Sequence, residues 1–230
     1  MEKARLGGYQ EFTSTLSAHH LSADLEQLRQ AMHATEIHTF GWPLGVVMPN
    51  EEYRPRPSQD GIQAEIDRLS DAPGSIMRGY DYWALRRDGT FHLLSSLFED
   101  SRSLDRRVIF LDTRAVRATE IFLRTGRLYE ALGVPPNELV GCRLVYGGLS
   151  GRVLSVANQM RMPLFPERIC SVDQVGRDYQ VRLAELFDPD SLKSLVFETV
   201  KGIAEVCDFF SPGRGFTDEI VDAFLQGRVI

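Results

Sequence analysis

The sequence has little of what most recognisable activities require. Its three cysteines, Cys142, Cys170 and Cys207, lie far apart and lack the paired spacing of a zinc site or a disulfide framework. We therefore expect unpaired thiols, no bound metal and no cofactor, in a reducing, cytoplasmic setting. No apolar run approaches the roughly 18 residues that a membrane-spanning helix needs, and no signal-peptide core is found, so we expect no membrane contact.

Basic residues are also in deficit. The net charge is -6, whereas a general binder of nucleic acid or anionic membrane needs an excess of lysine and arginine. The composition is otherwise that of a folded protein, because 43% of the 230 residues are hydrophobic and 25% are charged. A chain of this length can bury a core without cross-links.

Catalytic signatures are missing as well. The five histidines fall in none of the spacings that bind zinc or pair with a nucleophile. Residues 146–152, YGGLSGR, have the composition of a phosphate-binding loop or a serine-nucleophile turn, but they lack the glycine spacing of either motif. We interpret this segment as a loop between two antiparallel strands and assign no catalytic residue.

The patterns that are present predict an α+β fold with a mostly antiparallel sheet of about six to eight strands. The clearest signal is a hairpin over residues 80–97, where two apolar runs flank Asp88-Gly89. Further strands are predicted at 37–48, 138–149, 152–159, 168–175 and 179–187. The alternation over 62–66 fits a strand or a short helix, and residues 106–113 form a further apolar run. Gly41 and Pro43 would place the first of these at a sheet edge.

Two main helices are predicted to pack on the sheet, at residues 114–132 and at about 190–210. Asp188 is the expected N-cap of the second, with Pro189 in its first turn. Residues 1–18 have no sustained period and are interpreted as an arm. These patterns divide the chain into an N-terminal arm and connector helix (1–35), the α+β domain (36–211) and a short C-terminal helix (212–230).

The predicted helix over residues 21–32 is the first candidate contact surface. Leu21, Leu25, Leu28 and Met32 follow a spacing of four, three and four residues, which makes a narrow apolar stripe. Such a stripe is typical of a helix docked on its own domain and equally of one that pairs with a partner helix. Trp42, next to Pro43 at the predicted sheet edge, is the second candidate.

Three arginines on one flank of the 114–132 helix form a candidate nucleic-acid surface. Arg117, Arg124 and Arg127 share that flank, but Glu120 lies three or four residues from two of them. This spacing favours local ion pairs on a solvated helix face over a phosphate-binding stripe.

The order of several segments resembles a known family. The segments HTFGWPLGVV, YDYWALRRDGTFHLLSSLFED, LVYGGLSGRVLSVAN and VFETVKGIAEVCDFF resemble the C-terminal portion of bacterial Schlafen/AlbA-like ATP-binding regulators, over about residues 36 to 225. The resemblance implies a regulatory setting and no specific chemistry for this portion. The AlbA-like domain expected to contact nucleotide or nucleic acid in that family has no counterpart here, so none of its residues transfers.

The expected function is that of a non-catalytic sensing or protein-interaction domain in a bacterial regulatory or defence system. We expect the chain to form a homodimer or to bind a protein partner that carries the AlbA-like domain. The alternatives are a nucleic-acid-associated subunit that uses the arginine flank, which is less favoured, and an unrecognised hydrolase.

Overall fold

The computed structural model describes residues 2–18, 21–71, 78–102, 107–158 and 164–228. Within these residues the chain forms a seven-stranded sheet, a two-stranded parallel ribbon and four α-helices. All neighbouring strands of the large sheet are antiparallel. The predicted α+β fold is therefore confirmed.

The large sheet has the strand order β2, β3, β4, β5, β1, β7, β9, and β6 pairs with β8 in the ribbon. The strands are β1 Tyr9–Leu16, β2 Arg56–Pro57, β3 Gly61–Asp67, β4 Tyr80–Arg86, β5 Phe91–Ser96, β6 Val108–Phe110, β7 Leu139–Gly147, β8 Val153–Ser155 and β9 Gln174–Arg182. The helices are α1 Leu25–Ala34, α2 Leu111–Ala131, α3 Pro189–Glu205 and α4 Arg214–Leu225.

The N-terminal segment is not the arm that the sequence suggested. Strand β1 lies in the interior of the sheet, between β5 and β7. Phe12 is fully buried and belongs to the same core cluster as Leu28 of α1, Ile62 of β3 and Ile220 of α4. Residues from all three predicted segments of the chain thus share one core.

The hairpin is confirmed, and so are the helix signals around it. Gly89 has a φ of 87°, the left-handed conformation that glycine adopts without strain, and it lies between β4 and β5. At the start of α3, the Asp188 side chain accepts a hydrogen bond from the Ser191 backbone N–H. This helix ends at Glu205, five residues earlier than predicted.

The YGGLSGR segment does not join an antiparallel pair, which corrects our interpretation. It follows β7, whose partners are β1 and β9, and precedes β8, which pairs with β6. Arg152 at its end is fully buried; its guanidinium donates to the carbonyls of Gly148 and Val108 and pairs with Asp100. The segment therefore ties the ribbon to the large sheet.

Two other strand predictions are wrong. Residues 37–48 form no strand, since Gly41 and Gly45 have φ values of 60° and 61° and the backbone polar groups bond to helix side chains described below. Where two strands were predicted, at 168–175 and 179–187, there is one, β9. Ile169 and Cys170 before it form only isolated bridges, and Leu183–Leu186 after it form a short 3-10 turn.

The cysteine prediction is also corrected. Cys170 and Cys207 are joined by a disulfide that closes a sequence separation of 37 residues, while Cys142 is free and buried. The bond fastens the segment before β9 to the end of α3. Separately, none of the helices in the described ranges has the length and apolar character needed to cross a membrane.

Candidate ligand-binding site

One end of the inner sheet face, the face that α2 covers, is polar although it is buried. Side chains alternate between the two faces of a strand, and the strand register aligns one inner position from each of five neighbouring strands. This row, called the polar row because four of its five members are polar, consists of Ile66, Asp81, Ser95, Gln10 and Tyr146, in order from β3 to β7. All five residues are at most 8% exposed. The next row, two residues along each strand, is entirely apolar.

The first half of α2 faces the polar row with charged side chains. Arg114 is 1% exposed, pairs with Glu99 at 3.0 Å and lies over the Tyr146 ring at 5.7 Å from its centroid. Arg114 also reaches the Gln10 side chain, at 3.5 Å. Burial of a guanidinium is tolerated only when charge and hydrogen bonds compensate its lost hydration. These contacts hold Arg114 between sheet and helix.

A second ion pair of α2 fixes the segment that roofs this region. Arg117 pairs with Glu120 at 2.5 Å and donates to the Trp42 carbonyl at 2.9 Å. The other oxygen of Glu120 accepts the Leu44 backbone N–H at 2.8 Å. Arg124 donates to the carbonyls of Leu44, Gly45 and Met32. The helix side chains thus replace a strand ladder for residues 42–45, as buried backbone groups require.

A cavity of about 130 Å³ lies between the polar row, the first half of α2 and the roof segment. Its lining includes Gln10, Asp81 and Ser95 of the row, Arg114 and Arg117 of α2, and Trp42 of the roof. Arg68 and Arg78 border it as well. Trp42 is 36% exposed, so the indole separates the cavity from solvent only in part. A small molecule could enter here without opening the core.

Several buried polar atoms of the polar row and of the facing Arg114 lack a hydrogen-bond partner among the described residues. They are Oδ1 of Asp81, Nε of Arg114 and the hydroxyl of Tyr146. Each such atom costs free energy, and folded proteins contain few of them. Three of the five buried unpartnered side-chain atoms in the described part of the chain belong to this one layer.

Asp81 is the most perturbed acid of the layer. Burial raises the pKa of its carboxyl to about 7, against the opposing effect of Arg124 and Arg117. The Trp42 side chain also opposes this rise of the pKa, whereas Glu120 adds to it. Burial also lowers the pKa of Arg124. Asp81 therefore changes its charge near neutral pH, which is unusual for an aspartate.

The arrangement is suited to binding, and no catalytic set is evident among the described residues. None of the described histidines borders the cavity; His19 and His20 lie outside the described residues. Within the described ranges no cluster of three or more histidine, cysteine or acidic residues could hold a metal ion. Free Cys142 is buried, and burial raises the pKa of its thiol to about 12, which keeps the thiol protonated and unreactive.

The predicted interaction helix proves to be docked on its own domain. Leu28 and Met32 are fully buried, and Leu21 and Leu25 are partly buried against the same core. The helix begins at Leu25, where Asp24 and Gln27 form a capping box. Of the two interpretations of the stripe, the structure supports docking, and pairing with a partner helix stays a prediction.

The predicted arginine flank is not a surface. Arg117 is 9% exposed and Arg124 is 2% exposed, both with partners inside the molecule, while Arg127 is exposed. The ion pair between Arg117 and Glu120 was predicted correctly, but the helix face is buried and not solvated. Two of the three arginines cannot contact a phosphate backbone unless the core opens.

Of the predicted site residues, only Arg117 and Trp42 border the cavity, and Trp42 does so as roof and not as a sheet edge. Sequence reasoning missed Gln10, Asp81, Ser95 and Arg114. A signal for three of them was present: each is polar and stands two residues from an inward apolar residue of its strand, namely Phe12, Trp83 and Leu93. A polar side chain at an inward strand position is a reason to suspect a site.

The chain matches no protein-family model, no curated protein and no solved structure.

Proposed function

We propose that this chain is a non-catalytic sensing domain that binds a small polar molecule in the cavity beneath Trp42. The observation that carries the proposal is the polar layer: Asp81 and Arg114 border the cavity, and each is buried with a side-chain atom that has no hydrogen-bond partner among the described residues. In a core that served stability alone, apolar groups in place of these polar ones would raise the free energy of unfolding. Their presence beside a cavity is what a ligand site requires.

The resemblance to Schlafen/AlbA-like regulators supports a regulatory setting for this sensing role. In that setting the domain would report a small molecule to a partner that carries an AlbA-like domain. The roof segment offers a means of transmission, because Arg117, Glu120 and Arg124 connect it both to α2 and to the end of α1. A molecule beneath Trp42 would act on these connections.

A thermal-shift screen with small anionic, cationic and neutral metabolites tests the sensing function. A compound at about one hundred times its Kd should raise the Tm of the wild type by roughly 5–10 °C. Ser95→Val, which fills part of the cavity, should abolish that shift. The matched control is Thr15→Val, at an exposed position of β1, which should retain it. A screen without any shift, or a shift that survives Ser95→Val, would contradict the proposal.

A further inference from the structure

The cavity wall carries more positive than negative groups. In the described part of the chain, four guanidinium groups border it, those of Arg68, Arg78, Arg114 and Arg117, and the one carboxylate is that of Asp81. Among the described residues, Asp71, Glu99 and Glu120 neutralise Arg68, Arg114 and Arg117, respectively. Arg78 has no such acid within the described ranges and bonds only the Leu69 carbonyl, through Nε. The wall therefore retains a positive charge at Arg78.

Two arginines of the wall also keep hydrogen-bond donors that have no acceptor among the described residues. The Nε atom of Arg114 has no acceptor among the described residues. Both hydrogen bonds of Arg117 to described residues leave from Nη1, so Nε and Nη2 remain available. A guanidinium presents its donors as a planar fork, which matches the oxygens of a carboxylate or a phosphate.

The carboxylate of Asp81 requires a hydrogen-bond donor on the ligand. Asp81 borders the cavity, its Oδ1 atom has no partner among the described residues, and a carboxylate oxygen accepts a hydrogen bond from a donor group. An oxyanion alone would leave this oxygen unpartnered and would lie close to a like charge. A hydroxyl group on the ligand would donate to Asp81 while the anionic end contacts the arginines.

The cavity volume limits the size of the molecule. At about 130 Å³ the cavity is similar to the roughly 150 Å³ cavity that holds one benzene molecule in an engineered protein. A complete nucleotide is larger than this space. We propose, on the basis of the sensing function above, that the ligand is a small oxyanion, a carboxylate or a phosphate, that carries a hydroxyl group beside its charged end.

Isothermal titration at constant ionic strength with five probes tests this class. Glycolate has both features, acetate lacks the hydroxyl, ethylene glycol lacks the charge, ethanolamine has the opposite charge, and inorganic phosphate replaces the carboxylate. We expect glycolate or phosphate to bind at least about tenfold more tightly than ethylene glycol and ethanolamine. The order of glycolate and phosphate distinguishes a carboxylate ligand from a phosphate ligand.

Two variants connect the binding to the cavity. Arg78→Gln changes a half-buried side chain with no ion pair among the described residues, so the fold should persist while oxyanion affinity falls about tenfold or more. Its control, Arg127→Gln, removes an exposed arginine of α2 that does not border the cavity and should leave the affinity within about twofold. Asp81→Asn should reduce the preference for glycolate over acetate.

The outcomes separate this inference from the sensing function. Tighter binding of ethanolamine or ethylene glycol, abolished by Ser95→Val, would overturn the oxyanion class and leave the sensing function standing. Equal loss of affinity in Arg78→Gln and Arg127→Gln would also overturn the class, because the attraction would then be a property of overall charge. No binding of any compound, in the screen or in the titration, would remove both proposals.

Discussion

Two adjacent rows of the same sheet face differ in what they contribute to the molecule. The apolar row consists of Ala64, Trp83, Leu93, Phe12 and Leu144, aligned from β3 to β7. Its members are at most 5% exposed, and Phe12 meets Phe122 of α2 edge to face at 6.4 Å. The polar row lies two residues away on every strand and faces the same helix. One row removes apolar surface from water, and the other holds polar groups that burial penalises.

The comparison indicates that burial alone does not define the core of this domain. Both rows are inaccessible to solvent to nearly the same degree. They differ in what faces them, because the apolar row meets Phe122 whereas the polar row meets Arg114 and a cavity. Truncation of a side chain in the apolar row should therefore lower the free energy of unfolding strongly. Truncation in the polar row should lower it little, or raise it.

The largest effect is expected from truncation in the apolar row. Phe12→Ala should lower the free energy of unfolding by about 3–5 kcal/mol, since it removes a fully buried ring and leaves a cavity. Gln10→Ala, two residues away in the polar row, should cost about 1 kcal/mol or less, because the side chain already borders a cavity and its amide is poorly paired. Urea unfolding of both variants measures the difference; equal losses would remove the distinction between the rows.

A second effect concerns pH and the carboxyl of Asp81. Its pKa is about 7 in the folded protein, against 3.8 for an ordinary aspartate, so the folded state binds the proton more tightly than the unfolded chain does. The contribution of Asp81 to stability is thus most favourable below pH 3.8 and is lost as pH rises to about 7. Between pH 5 and 8 the stability of Asp81→Asn relative to wild type should rise by roughly 2–3 kcal/mol.

The measurement is urea unfolding of wild type and Asp81→Asn at a series of pH values. Other titrating groups affect both proteins alike, so the difference between the two curves isolates Asp81. A difference that stays constant from pH 5 to 8 would mean that Asp81 does not titrate in this range. The buried position of Asp81, beside Arg117 and Arg124, would then stabilise its charge fully.

Local signals in the sequence predicted much of the fold. Asp88-Gly89 predicted the hairpin because a turn depends on its own residues, and Asp188-Pro189 predicted the start of α3 for the same reason. Strand β1 was missed because two of its inward residues, Gln10 and Ser14, are polar and obscure the alternation of the strand. The polar residues that hid β1 as a strand include one that lines the site.

The site itself could not be predicted from local patterns. Gln10, Asp81 and Ser95 are far apart in the chain and become neighbours only through the strand register. The spacing of Arg117 and Glu120 predicted their ion pair but not its burial, because a helix repeats its contacts identically in solvent and in a core. The disulfide was missed because a separation of 37 residues carries no pairing signal.

The smallest effect compares two buried tyrosines that differ in their hydroxyl partners. The Tyr129 hydroxyl is bonded to Ser14 at 2.8 Å and donates to the Gly89 carbonyl at 2.9 Å, whereas the Tyr146 hydroxyl in the polar row has no partner among the described residues. Tyr129→Phe should therefore lower the free energy of unfolding by about 1 kcal/mol, and Tyr146→Phe should raise it by a similar amount, since the latter removes an unpaired buried group. Both rings are at most 1% exposed, so the two changes delete the same atom at the same degree of burial. Destabilisation by Tyr146→Phe would mean that its hydroxyl has a partner in solution, and would weaken the case that the polar row is held at the expense of stability.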